Sequence, residues 1–421
     1  MKRPLLWIIG LLIFVVSLAG AFGAGALFGA TLFTGRASWS RPVITSPVEE
    51  PEEFNVFWQA WSIVQDRFVD QEVLDDTQLT YGAIQGMLNS LGDQGHTVFL
   101  TPEEMESQRE DLDGTFSGIG ASIGVQDGMP VIIAPFDGSP AAEAGIKAGD
   151  IITAVDGEDT AGRDLNDVVE TIRGPAGTEV VLSVLRLDGE NTDSYEIPIT
   201  RGEIEIPAAD WAMIPGTDAA LIRLSQFNAN ADDDLRASIE AADAAGATSL
   251  VLDLRNNPGG LLDQAIRVTS EFLEDGNVLQ EADAEGNIRE YKVRRGGIAT
   301  EIPMAVLINA GSASSAEILA GALQDYGRAE LVGETTFGTG TVLEPFPLSD
   351  GSAIMLGTRQ WLTAEGRTLR KQGVSPDEEV ILSVAADLLT ANELEEMSPE
   401  EVRNSEDLQL LKALEVLGEQ P

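Results

Sequence analysis

Two turns in the sequence hold residues that could perform hydrolytic chemistry. They read DLRNNPGG (residues 253–260) and NAGSASSAE (residues 309–317), and each lies between an apolar, strand-like run and a helical pattern. A serine beside a helix N-terminus meets N–H groups that can stabilise a developing oxyanion. Glycines that follow a proline can also present their N–H groups without obstruction by a side chain. The pattern allows a hydrolytic serine, although a phosphate-binding loop or simple helix caps would look similar.

Composition limits the groups that could assist such a serine. The chain has no cysteine, which excludes thiol nucleophiles, zinc ribbons and iron–sulfur clusters. Its single histidine, His96, lies far in sequence from both turns, and its setting favours a loop or capping role. A zinc site with two histidines cannot be built, and a Ser-His-Asp triad would have to use His96. A hydrolytic serine here needs a different base, and no metal or organic cofactor is implied.

Charge excludes one class of partner. The chain has 70 acidic and 26 basic residues, a formal net charge of −44. Nucleic-acid binding requires clustered Lys and Arg, so we expect no nucleic-acid partner.

The N-terminus has the pattern of a membrane anchor. Residues 5–35 contain no charged side chain, and a membrane-spanning helix needs about 20 apolar residues. Lys2 and Arg3 precede the run, which favours a cytoplasmic N-terminus and an extracytoplasmic bulk. We therefore expect residues 1–36 to be a single-pass anchor, with a cleaved, secreted form as the alternative. Residues 37–53, rich in Pro and Glu, are interpreted as a linker.

The remaining sequence divides into four regions with different residue patterns. Residues 54–113 have helical spacing, with two helices predicted between Phe54 and Leu91. Residues 114–202 are rich in glycine and short strands, one of which is predicted from Gly118 to Val125. Residues 203–384 alternate strands with helices. Such alternation predicts an α/β layer with crossover connections, whose turns lie at the carboxyl edge of the sheet. Residues 385–421 are acidic and helical, and we expect them to pack on the core or to assemble with a partner subunit.

The glycine-rich region resembles a PDZ domain. The resemblance rests on the run SPAAEAGIKAGDIITAVDG (residues 139–157), and a small β-unit without a ligand is the alternative. PDZ domains bind a chain end as an added strand, and backbone N–H groups capture its carboxylate. The resemblance places the capture loop at Phe116, Ser117, Gly118, Ile119 and Gly120.

From about Phe54 onward the chain resembles the carboxy-terminal processing peptidases, or tail-specific proteases. The matching motifs are YGAIQGMLNSLGDQGHTVFLTPEE, the PDZ signature, DLRNNPGG, NAGSASSAEILAGALQDYGRA, GETTFGTGTV and GRTLRKQGVSPD. The resemblance implies a multidomain α/β chain: a small helical domain, a β-rich PDZ domain and a crossover-type serine protease core. Family members pair a serine nucleophile with a lysine base, which works when burial lowers the lysine pKa.

Aligned by motif, the family's site residues fall on defined positions. The nucleophile falls on Ser314, and the oxyanion donors fall on the backbone N–H groups of Ser315 and of the Gly259–Gly260 turn. The PDZ arginine that couples ligand binding to the protease site falls on Arg173.

The sequence departs from this family at the base. The family lysine position is Thr339, and the glutamine that orients the lysine is replaced by Leu343. A threonine hydroxyl does not act as a base near neutral pH. Lys292 and Lys371 are weak candidates to replace the lysine, since neither lies where the motif places the base.

Two hypotheses follow from these residues. In the first, the chain is a membrane-anchored serine endopeptidase that binds C-termini of extracytoplasmic proteins and cleaves them through an acyl-enzyme. In the second, it is a degenerate member that binds C-termini as a regulator or adaptor, as a homo-oligomer or beside an active paralogue. An assembly scaffold that uses the acidic tail is a third interpretation.

Overall fold

The computed structural model describes residues 51–93, 97–126, 128–136, 138–188, 191–383 and 386–420. The expected anchor, most of the linker and His96 lie outside these ranges. In the described part of the chain, every helix is too short or too polar to cross a bilayer.

Helices and strands are numbered in chain order. The helices are α1 Phe54–Arg67, α2 Asp76–Asn89, α3 Pro102–Asp113, α4 Pro140–Glu143, α5 Leu165–Ile172, α6 Ala231–Ala245, α7 Leu262–Ser270, α8 Ser315–Asp325, α9 Ala391–Glu396, α10 Pro399–Arg403 and α11 Leu408–Leu417. The strands are β1 Val98–Leu100, β2 Thr115–Gly118, β3 Ala121–Gln126, β4 Met129–Pro135, β5 Ile151–Val155, β6 Glu158–Asp159, β7 Glu179–Asp188, β8 Asn191–Thr200, β9 Gly202–Glu205, β10 Ala209–Met213, β11 Ala219–Leu224, β12 Ser249–Asp253, β13 Asn277–Ala282, β14 Ile288–Lys292, β15 Met304–Ile308, β16 Glu330–Gly333, β17 Thr341–Pro347, β18 Ala353–Leu362 and β19 Glu378–Glu379.

A small unit comprises residues 51–93, 98–101 and 345–355. Its helices α1 and α2 confirm the two helices expected from the spacing. Asp75 caps α2 by accepting a hydrogen bond from the N–H of Gln78 at 2.8 Å. The Tyr81 hydroxyl donates to Asp350 at 2.8 Å, and β1 pairs with the start of β18.

The larger unit contains the PDZ region, whose sheet has the order β3-β4-β5-β7-β8. The sequence favoured one strand from Gly118 to Val125, and this was wrong. Gly120 adopts φ +72°, so β2 ends before it and pairs with β9, while β3 begins after it and pairs with β4. A Cβ at Gly120 would lie 2.5 Å from Cβ of Ser139, so a side chain does not fit there.

The α/β region confirms the predicted crossover layer. Its sheet has the order β10-β11-β12-β15-β16-β19, in which β10 is antiparallel and the other neighbours are parallel. Every residue of β12 and β15 is buried. Parallel neighbours require crossovers, which α6, α7 and α8 supply after β11, β12 and β15. The two turns of interest therefore lie at the carboxyl ends of adjacent strands, as predicted.

The C-terminal segment, residues 386–420, packs back on this sheet. Leu410 and Leu414 of α11 are fully buried and share a cluster with Val251 and Leu307. Their neighbours Leu252 and Val306 belong to a second cluster with α6, α7 and α8. Successive residues of a strand point to opposite faces, so the C-terminal helices cover one face and the crossover helices the other. This outcome is the first of the two expected for the tail.

Candidate active site

The two turns form a single structure at the edge of the sheet. The N–H of Asn256 donates to Oδ1 of Asn309, and Nδ2 of Asn309 donates back to Oδ1 of Asn256, both at 2.9 Å. The hydroxyl of Ser315 donates to the carbonyl of Gly260 at 3.0 Å. These bonds join residues more than 50 positions apart in sequence and fix the relative position of the turns.

Ser314, the expected nucleophile, lies immediately before α8 in an unusual conformation. Its φ of +53° and ψ of −114° are rarely adopted by a residue with a side chain, and such strain concentrates at functional sites. Its N–H donates to Oε2 of Glu317 at 3.0 Å. A Cβ on Gly259 would lie 2.7 Å from Cβ of Ser314, so this close approach of the two turns requires glycine.

The expected oxyanion donors differ in availability. The N–H of Gly259 donates to Oδ1 of Asn257 at 2.8 Å, so that donor is already used. The hydrogen bonds of the described residues do not use the N–H of Gly260 or of Ser315. Ser315 is also the first residue of α8, where the helix dipole favours negative charge. Two backbone N–H groups in these joined turns are thus not used by the described hydrogen bonds.

Glu317 connects the nucleophile to the loop that holds the base position. Its position in the first turn of α8 is typical of an acid that favours a helix N-terminus, but its carboxylate is also fully buried. It accepts hydrogen bonds from the Thr336 hydroxyl at 2.6 Å and from the N–H groups of Gly338 and Thr339 at 2.7 and 2.9 Å, besides that of Ser314. The salt bridges of the described residues do not include Glu317.

Thr339 therefore lies next to Ser314. The N–H groups of both residues donate to the same oxygen of Glu317, so their nitrogens can be no farther apart than the sum of the two bonds. The loop is also held by the N–H of Lys371, which donates to the Gly338 carbonyl at 2.8 Å. These contacts use backbone atoms of residues 338 and 339. Backbone contacts thus hold the loop without using the side chain at position 339.

In the described hydrogen bonds and salt bridges, the side chains of Lys292 and Lys371 make no contact with Ser314. Lys292 lies on β14, where its ammonium donates to Asn277 at 2.6 Å and pairs with Glu290 at 2.7 Å, with most of its side chain exposed. The side chain of Lys371 is exposed, and only its backbone N–H is placed against the loop. Leu343, the family glutamine position, lies on β17 and is 36% exposed. Among the described residues, nothing replaces the family lysine.

The residues expected to form the peptide-capture loop lie at the start of the PDZ region. Residues 116–118 lie in β2, and the carbonyls of Ile119 and Gly120 accept hydrogen bonds that fold the loop over the PDZ core. Arg173, one residue after α5, places its guanidinium 5.4 Å from the ring centre of Phe116, a cation–π contact. Strand β3 lies at the edge of its sheet beside this loop. In the described part of the chain, the hydrogen bonds, ion pairs and ring contacts do not join this loop or Arg173 directly to Ser314 or Thr339.

Family models, curated relatives and a solved structure are similar to this chain. Peptidase family S41 matches residues 218–380, a PDZ domain matches residues 131–186, and the "Activating protease CtpB N-terminal domain" matches residues 21–102. The carboxy-terminal-processing protease of Bartonella bacilliformis is 37% identical over 72% of this chain and 70% of its own. CtpB of Bacillus subtilis is 33% identical over 85% and 74%. The solved photosystem II D1 C-terminal processing protease is 30% identical, covering 79% of this chain and 94% of its own, with a TM-score of 0.45.

Proposed function

The chain belongs to the carboxy-terminal processing proteases of family S41, and from this premise we propose that it cleaves extracytoplasmic proteins near their C-termini through an acyl-enzyme on Ser314. The observation that carries the proposal is the strained Ser314 beside two available N–H donors. Backbone strain is costly, and a simple helix cap does not require it.

The described site offers groups for peptide binding, nucleophilic attack and oxyanion stabilisation. A chain end joins the free edge of β3, and its carboxylate meets the loop of residues 116–120. Oγ of Ser314 then attacks the carbonyl carbon of a peptide bond, and the oxyanion accepts hydrogen bonds from Gly260 and Ser315. The amine leaves with a proton, and water hydrolyses the ester.

The weak step is removal of the proton from Ser314. Thr339 cannot accept it near neutral pH, so water must do so. Loss of the base in serine hydrolases lowers the rate by several orders of magnitude, while the oxyanion hole and binding retain some catalysis. We therefore expect slow cleavage by this polypeptide alone.

Thr339 and Leu343 also favour a second candidate function. A member without lysine and glutamine can still bind C-termini through its PDZ groove, as a regulator or beside an active paralogue. In both cases we propose that residues 1–36 anchor the chain in a membrane, which keeps the peptide-binding groove on the extracytoplasmic side.

Binding and cutting can be tested separately with the full chain in detergent. An unfolded protein with an apolar C-terminus is incubated with the parent and with Ser314→Ala, and fragments are identified by mass spectrometry. Slow cleavage by the parent that is absent in Ser314→Ala supports the proposed peptidase activity. Equal fragment patterns from both proteins contradict that activity and favour the binding-only function.

The PDZ groove has its own matched pair of variants. Gly120→Ala brings a Cβ against Ser139, whereas a Cβ at Gly128, at a similar φ, meets nothing within 4 Å. We expect Gly120→Ala to abolish peptide binding and Gly128→Ala to preserve it. Equal affinities would show that the loop of residues 116–120 is not the capture loop.

A further inference from the structure

A buried ion cluster of Asp253, Arg255 and Asp407 joins the first turn to the C-terminal segment. All three side chains are at most 1% exposed. The guanidinium of Arg255 donates to Asp253 at 2.9 and 2.8 Å and to Asp407 at 2.7 and 3.0 Å. Burial opposes the charge, but the two carboxylates more than compensate and raise the pKa of Arg255 above its ordinary value.

Asp407 belongs to the C-terminal segment, 152 positions from Arg255. It caps α11 by accepting a hydrogen bond from the N–H of Leu410 at 3.1 Å, and it accepts another from the N–H of Leu389 at 3.1 Å. One carboxylate thus fixes the start of the last helix, the approach to α9 and the guanidinium of the first turn.

Arg255 is followed directly by residues that set the geometry of the active site. Asn256 joins the two turns through Asn309, and Asn257 holds the N–H of Gly259. Gly260, whose N–H is available to an oxyanion, follows next. Without the charge of Asp407, Arg255 keeps Asp253 as its carboxylate partner, but the N–H groups of Nη1 and Nη2 that donate to Asp407 lose a charged acceptor. A buried donor without its acceptor is costly, so the guanidinium must move or recruit water. Movement of Arg255 would displace the turn that carries this donor.

We propose that Asp407 is a positioning residue for the turn of residues 254–261, which carries the N–H of Gly260. The C-terminal segment would then contribute to the geometry of the active site. The proposal rests on the proposed function for its effect on catalysis, but its effect on the turn can be measured without any activity. Loss of the segment from Asp407 onward would leave the PDZ residues intact and disturb the turn at residues 254–261.

The structural test uses the full chain and hydrogen exchange followed by mass spectrometry. Asp407→Asn keeps the shape of the side chain and removes its charge, and Glu406→Gln removes the same charge from an exposed neighbour. We expect exchange in residues 254–261 to become about tenfold faster in Asp407→Asn and to stay unchanged in Glu406→Gln. Residues 115–126 of the PDZ region serve as an internal reference. Unchanged exchange at the turn, or equal acceleration in β12 and β15, would overturn the proposal.

The catalytic test is made in a Thr339→Lys background. We expect Asp407→Asn to lower kcat about tenfold or more with little change in KM, since a displaced oxyanion donor affects the transition state. Asp407→Glu, which keeps the charge, should recover part of the rate. An unchanged kcat in Asp407→Asn would overturn the proposal. Absence of cutting in Thr339→Lys itself would instead count against the proposed function, and the exchange experiment would still decide this inference.

Discussion

Glu317 should be essential to the arrangement of the active site, and Glu317→Gln tests this. The glutamine oxygen can accept from Thr336 and Gly338 in place of Oε1. Its amide group, however, would face the N–H groups of Ser314 and Thr339, which donate to Oε2 in the described structure. Each buried donor that loses its acceptor costs about 1–3 kcal/mol, so we expect a loss of about 2–6 kcal/mol in the free energy of unfolding.

Calorimetry measures this loss. At about 2–4 °C per kcal/mol for a domain of this size, the transition of the α/β region should fall by about 4 °C or more. Glu330→Gln is the matched control, because Glu330 is exposed and its side chain makes none of the described hydrogen bonds or salt bridges. A shift in Glu317→Gln no larger than that in the control would refute the role given to the carboxylate.

Two further outcomes are expected. Gly259→Ala should destabilise the chain and displace Ser314, because the new Cβ would collide with that residue. Gly286→Ala is the control: it has a similar φ but nothing within 4 Å of its Cβ, so it should show only the backbone strain. Equal unfolding midpoints for the two variants would contradict this expectation. Burial and the hydrogen bond to Glu281 raise the pKa of Tyr291 to about 12, so the folded chain holds this proton more tightly than the unfolded chain. Stability should therefore fall as the pH rises from about 10 to 12, and Tyr291→Phe should reduce that slope in unfolding measurements.

Much of the fold could be predicted because the signals are local. The strand-like runs before residues 254 and 309 and the helical patterns after them have lengths and periods that define each element. Since parallel strands end at one edge, the sequence also predicted that the two turns meet. The strand at Gly118–Val125 was wrong because alternation does not reveal a positive φ, and only contact with Ser139 explains the glycine at position 120.

The parts of the site that were missed depend on contacts between distant residues. Glu317 has the spacing of a first-turn acid, and nothing local shows that three of its donors come from residues 336–339. The partner of Arg255 is likewise 152 positions away, in a segment whose spacing indicated only a helix. Both charges are fully buried, and sequence patterns do not show which distant charge or donor compensates a buried one.

The most direct test of the account is the cleavage rate of the full chain with threonine or lysine at position 339. Backbone contacts hold the loop near Ser314, so we expect a lysine at position 339 to be presented to that serine. We expect Thr339→Lys to cleave an unfolded protein at least about a hundredfold faster than the parent, and we expect Ser314→Ala in the same chain to abolish this increase in rate. Equal cleavage rates for the parent and Thr339→Lys would contradict this expectation. Equally fast cleavage would require a base outside the described site. Absence of cleavage by both proteins would show that the loop does not present position 339 to the serine.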